Sequence, residues 1–96
     1  MCMNDGSFQW DDDKAASNYA KHGVKFEAAR DVFKDPFALE RTDNRKDYGE
    51  ERFILIGMAS GRLLAVVYTM RGETVRIKSA RGAEPYEQRQ YHEHNG

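Results

Sequence analysis

Six basic side chains, Arg52, Arg62, Arg71, Arg76, Lys78 and Arg81, stand against one acidic side chain, Glu73, between positions 52 and 81 of a 96-residue chain whose net charge is -1. In a chain that is acidic overall, such a local surplus is not a composition effect. A guanidinium is a planar fork of donors, charged at any cellular pH, and it matches two oxygens of a phosphate at once. The segment therefore reads as a prepared anion-binding surface. Its sequence, ERFILIG, RLLAVVYTM and TVRIKSARGA, is that of strands, so the cations are spaced along a sheet.

If the anion is an RNA phosphodiester cut without a metal, the 2′-hydroxyl attacks the adjacent phosphorus. The protein must then orient it, take a proton, stabilise charge on the equatorial oxygens and help the 5′-oxygen leave. Arg52, Arg71, Arg76, Lys78 and Arg81 are candidates for the charge, and His22, Tyr86 or Tyr91 for the protons. Each has an ordinary alternative. Arg52 beside Glu50 and Glu51 reads equally as an ion-paired edge residue, Arg71 beside Gly72 as a turn residue, and Arg76 with Lys78 as the polar face of a strand. His22 precedes Gly23 at a helix end, where the dipole favours an imidazolium. Arg81 follows a buried stripe, and a cation there is expected to have a specific anion. His92 and His94, two apart on a helix, do not share a face, so no metal pair is expected. Asp11 to Asp13 and Glu50-Glu51 suit helix capping and a solvated loop better than Mg²⁺.

The positioning elements follow from periodicity. Phe8 and Trp10 flank Gln9 as in a short edge strand, and Asp11-Asp12-Asp13 offers carboxylates to the first amides of a helix over Lys14 to His22 that ends at Gly23. A second helix is predicted from Phe26 to Lys34, stopped by Asp35-Pro36. Phe37 to Asp43 alternates as a strand does, and Asn44 to Glu51 reads as a loop. Phe53 to Met58 and Leu63 to Met70 are apolar on both alternating faces, as central strands are. With Ser60-Gly61 and Arg71-Gly72 as hairpin turns they join Thr74 to Ala80 in an antiparallel meander. There Val75 and Ile77 should face the core, and Arg76 and Lys78 the other side. Pro85 opens a final helix to about His92 with few apolar residues, so weak packing is expected.

Ninety-six residues bury one core, in a small two-layer α+β domain over 8–94 preceded by a frayed leader over 1–7. Residues 1–50 carry 8 basic and 11 acidic side chains and residues 51–96 carry 7 and 5, which argues against a general nucleic-acid coat but not against a local patch. A lone cysteine, Cys2, gives neither a disulfide framework nor metal-ligand spacing. No apolar run approaches the roughly 20 residues of a membrane helix. The expectation is a cytoplasmic protein that needs no cofactor.

The order and spacing of several short motifs add to this reading. Phe8-x-Trp10-Asp11-x-x-Lys14, Asn18-x-x-Lys21-His22-Gly23-Val24-x-Phe26-Glu27-x-Ala29, Val32-Phe33-x-Asp35-Pro36, Glu51-Arg52-Phe53-x-x-Ile56-Gly57, Arg62-Leu63-Leu64-x-Val66-Val67 and Arg76-Ile77-x-Ser79-Ala80-Arg81 resemble the BrnT family of toxins over about Phe8 to Tyr91. The resemblance implies a bacterial type II toxin with a RelE/ParE-like fold: a short strand, two helices, an antiparallel sheet of about four strands and a C-terminal helix. It further implies metal-independent RNA cleavage that halts translation. The implied partner is a BrnA-type ribbon-helix-helix antitoxin, in a heterotetramer that binds operator DNA through the antitoxin. By position it makes Arg52, Arg76 and Arg81 the leading catalytic candidates, with Ser79 beside them on the active surface; His22 and Tyr91 come second. Arg71 and Lys78 remain substrate-binding candidates on charge alone. Two positions depart from the family pattern: Lys25 stands where Ser is common before the second helix, and Lys78 where an aliphatic residue is common. Two alternatives stay open on the same fold, a non-catalytic module gripping a protein or nucleic acid, and a ParE-like gyrase poison.

Overall fold

The computed structural model describes residues 2–4, through their backbone, together with 7–43 and 49–95; positions 44–48 of the expected loop lie outside the described residues. The elements run β1 (Cys2–Asn4), β2 (Phe8–Asp11), α1 (Asp12–His22), α2 (Phe26–Val32), β3 (Leu39–Thr42), β4 (Phe53–Ala59), β5 (Arg62–Arg71), β6 (Thr74–Gly82) and α3 (Pro85–Asn95). The fold class is α+β, as expected. Its sheet is larger than expected, with six strands in the order β1-β2-β6-β5-β4-β3.

Two expectations are corrected at the N-terminal end of the chain. The stretch expected to be a frayed leader supplies β1, whose backbone pairs antiparallel with β2. That pairing takes the edge position away from Phe8 to Trp10 and leaves β2 inside the sheet. β2 is also parallel to β6, which makes the sheet mixed. The helices carry the chain from β2 to β3 at the far edge, which runs opposite to β2, and three antiparallel reversals then bring β6 beside β2 in the same direction.

The helices start and stop on local signals. The Asp11 side chain accepts from the amides of Asp13 and Lys14, and Gly23, at φ 69°, donates its amide to Tyr19 O. α2 has no such cap, because Lys25 offers its first amides only a backbone carbonyl. Between β4 and β5, Ser60 and Gly61 take φ of 53° and 76°, the left-handed pair that a tight hairpin needs.

The two apolar faces of β4 and β5 are both covered. Trp10, Phe26, Ala29, Val32, Leu55, Leu64, Val66, Tyr68, Ile77 and Ala80 form the main core under α1 and α2. Ile54, Ile56, Ala65 and Val67 form a smaller cluster with Tyr91 of α3 on the opposite face. The two-layer expectation thus becomes three partial layers, because strands apolar on both sides leave neither side to water.

Asn18 clips α1 to β6. Its amide nitrogen donates to Val24 O at 3.0 Å and Ala80 O at 2.8 Å, and its oxygen accepts from Ala80 N at 3.0 Å. Asn18→Ala leaves three buried backbone groups unpaired and should cost about 2 kcal/mol of stability, measured as a lowered urea midpoint with unchanged slope.

Candidate active surface

In a regular strand Arg76 and Arg81, an odd number of positions apart, point to opposite faces. The pairing of β5 with β6 prevents this. Val67 lies opposite Ser79 and Tyr68 opposite Ile77, so Lys78 has no partner of its own and forms a bulge. The extra residue resets the alternation. Arg76, Ser79 and Arg81 join Thr69, Val67 and Ala65 on the face that carries α3, while Ile77 and Ala80 enter the main core. Simple alternation put Arg76 and Lys78 on one face and left Arg81 unexplained; the bulge corrects both.

The same register brings strands together at one end of the sheet. Arg52 precedes the Phe53–Tyr68 pair and so adjoins Thr69, which lies opposite Arg76, which lies opposite Gln9. Thr69 is buried and donates to Glu51 O at 2.6 Å, holding the entry to β4 against β5. Arg76 donates to the amide oxygen of Gln9 at 2.9 Å. Gln9 is neutral, so this contact does not cancel the charge of Arg76. Arg71, exposed at the end of β5, shares this face by register.

Arg52, Lys78 and Arg81 have carboxylates. Glu50 Oε2 lies 3.3 Å from Arg52 Nε and 3.3 Å from Lys78 Nζ. Burial alone would raise the Glu50 carboxyl, but hydrogen bonds and charge from Lys78 and then Arg52 hold it below its ordinary value. Glu87, fully buried on α3, receives Arg81 through two hydrogen bonds at 2.7 and 3.1 Å and Arg41 through one at 2.9 Å. Its hydrogen bond to Glu87 is the main reason the Arg81 guanidinium holds its proton more tightly than usual. Arg81 therefore has the specific anion that its sequence position demanded, and this pair fastens α3 to the sheet.

The second-rank residues are not brought to the arginine row. His22 closes α1, on the opposite layer of the sheet. Tyr91 does lie on the α3 face, yet its hydroxyl donates to Asp35 Oδ2 at 2.7 Å, a contact that raises its pKa. Asp35 also accepts from the amides of Met58 and Phe37, so Tyr91 ties α3 to the exit of α2. Sequence reasoning passed over Arg41, which donates to the Tyr86 hydroxyl and lies over its ring as well as binding Glu87. Its alternation with Leu39 on β3 was the available signal, since Leu39 packs against the smaller cluster. Among the described residues no three His, Cys, Asp or Glu side chains converge as metal ligands would, and no helix is long and apolar enough to cross a membrane.

A surface of this kind can grip a chain of phosphates and stabilise added charge on one of them. The family model for a ribonuclease toxin, BrnT, of type II toxin-antitoxin system matches residues 10–87. The chain belongs to the BrnT family. No curated protein matches it. Membership makes this BrnT chain a ribonuclease toxin with RNA as substrate and a protein antitoxin as partner. The matched span contains Arg52, Thr69, Arg76 and the bulge, together with the Arg41–Glu87–Arg81 tie.

Proposed function

We propose that this BrnT toxin is an endoribonuclease that cleaves RNA without a metal, through attack of the 2′-hydroxyl on the neighbouring phosphate, and that it inhibits translation in the cytoplasm. The observation that carries the reading is the row Arg52, Thr69, Arg76, aligned by register on the face that the bulge makes cationic. Arg76 is the charge best placed to meet a phosphate, because its partner Gln9 is neutral and easily exchanged. The acidic groups on this face are engaged differently from metal ligands: Glu50 and Glu87 each bridge two cations. Ser79, on the same face, and Arg71 at its rim complete the substrate-binding set.

The partner we propose is a BrnA-type ribbon-helix-helix antitoxin, bound in a heterotetramer that reaches operator DNA through the antitoxin. The two-helix layer, meander and C-terminal helix support a RelE/ParE-like assignment of the fold. A fluorescent RNA incubated with the toxin in EDTA should be cut, and binding should tighten as salt is lowered, with a logarithmic slope near 0.7 per neutralised phosphate of single-stranded RNA. RNA left intact at high toxin concentration would overturn the reading, with binding but no cutting pointing to a non-catalytic module and inhibited supercoiling to a gyrase poison.

A further inference from the structure

Lys78 was a candidate on charge alone, and Glu50 has no part in the cleavage step proposed above. Yet they form a 3.3 Å contact beside Arg52, with side chains only 30% and 11% exposed. The bulge is what frees Lys78 from the ladder and lets its ammonium reach across β5 to the carboxylate that precedes β4. A lysine can release a proton, which an arginine in a protein does not, and an ionised carboxylate can take one.

We infer that Glu50 and Lys78 are the proton-transfer pair of this active surface, Glu50 taking the proton of the 2′-hydroxyl and Lys78 supplying one to the departing 5′-oxygen. The inference rests on the endoribonuclease reading and deepens it. In the free protein Arg52 and Lys78 suppress the basicity of Glu50. The scissile phosphate is itself an anion and competes for the same two cations. When it draws them away, Glu50 loses the interactions that favour its ionised form and gains a negative neighbour, and both changes strengthen it as a base. The base is thus armed by the substrate.

The step balances. The 2′-oxygen forms a bond to phosphorus as its proton passes to Glu50. The bond from phosphorus to the 5′-oxygen breaks, its electron pair leaves with that oxygen, and the oxygen takes a proton from the Lys78 ammonium. The products are a 2′,3′-cyclic phosphate end and a 5′-hydroxyl end, beside a neutral carboxyl and a neutral amine. As the products leave, the direct contact returns the proton from Glu50 to Lys78, and no outside acid or base is consumed. The charged groups facing the pair are Arg52 from the β4 side, Arg76 on β6 and Lys14 on α1. Burial foremost, then the repulsion of Lys14 and Arg76, makes the Lys78 proton easier to give up despite the opposing pull of Glu50.

The test compares Glu50→Gln, Lys78→Met and Lys78→Arg with the unaltered toxin in single-turnover cleavage. One substrate is an oligoribonucleotide, and the other a nucleoside 3′-(4-nitrophenyl phosphate), whose leaving group needs no proton. Each variant should cut the oligoribonucleotide about a hundredfold more slowly, with Glu50→Gln removing the acidic limb of the pH profile. On the nitrophenyl ester both Lys78 variants should regain most of the lost rate, while Glu50→Gln should not. Lys78→Arg keeps the positive charge, so a purely structural ion pair predicts near-normal cleavage from it. Unchanged rates and pH profiles in the variants, or no rescue of either Lys78 variant by the good leaving group, would overturn the inference and leave the endoribonuclease reading standing. If the unaltered toxin cuts neither substrate, both fall together.

Discussion

Arg76→Ala should slow RNA cleavage by between about 10² and 10³-fold, the usual loss when one preorganised donor to developing charge is removed, while thermal stability hardly changes. Two structural facts combine in that expectation. Arg76 is held by the neutral Gln9 side chain, so its removal strands no buried charge. It also lies beside Thr69 and Arg52, where a phosphate could be gripped from more than one strand. Arg76→Lys should recover only part of the rate, because an ammonium keeps the charge and loses the two-pronged geometry. Single-turnover cleavage of a labelled RNA at saturating toxin is the measurement. A rate within tenfold of normal would remove Arg76 from the chemistry.

Arg81→Ala is expected to fail in a different way. It leaves Glu87, fully buried, with Arg41 and the Glu84 amide as remaining partners. Breaking a buried pair from one side typically costs 3–5 kcal/mol, and we expect about 3 kcal/mol here, read as a lower denaturation midpoint and early loss of α3. Activity should fall only as far as the folded fraction does. The pH dependence follows from Glu87. Burial pushes its carboxyl up, but the Arg81 hydrogen bonds, the Glu84 amide and the charges of Arg81 and Arg41 outweigh this and hold it below its ordinary 4.5. A carboxyl depressed by folding adds stability above its unfolded value, and that stability drains away as the pH falls through the folded value. The toxin should therefore lose stability below about pH 4.5, and Glu87→Gln, measured by the same melts, should show a smaller loss over that range.

Both arginines stood among the catalytic candidates in the sequence, and the difference between them shows what was legible. The meander could be read because Phe53 to Met58 and Leu63 to Met70 have no polar face, and because Ser60-Gly61 and Gly72 supply the positive φ that tight turns require. The helix ends could be read from Asp11, Gly23 and Asp35-Pro36, whose effects are local. The bulge could not, since TVRIKSARG fits unbroken alternation just as well, and only the pairing with Val67 and Tyr68 decides where the extra residue goes. The parallel contact of β2 with β6 and the pairing of β1 depend on partners about 70 and 7 residues away along the chain, beyond the reach of periodicity. Glu87 was hidden by its type: an acidic residue on a polar helix reads as solvated, and its burial is settled only by Arg41 and Arg81 arriving from distant strands.

The unpaired position at 78 makes the last strand a counting device. Any residue type there preserves the phase of its neighbours, and so does its deletion, because Ile77 and Ser79 would then follow one another in strict pleating with Arg76, Ser79 and Arg81 still on one face. The charge of this edge is thus kept by the paired residues, so that losing one of them, such as Ala80, should put either Ser79 or Arg81 on the oily side, whereas shortening the strand at position 78 should leave the arginines in place.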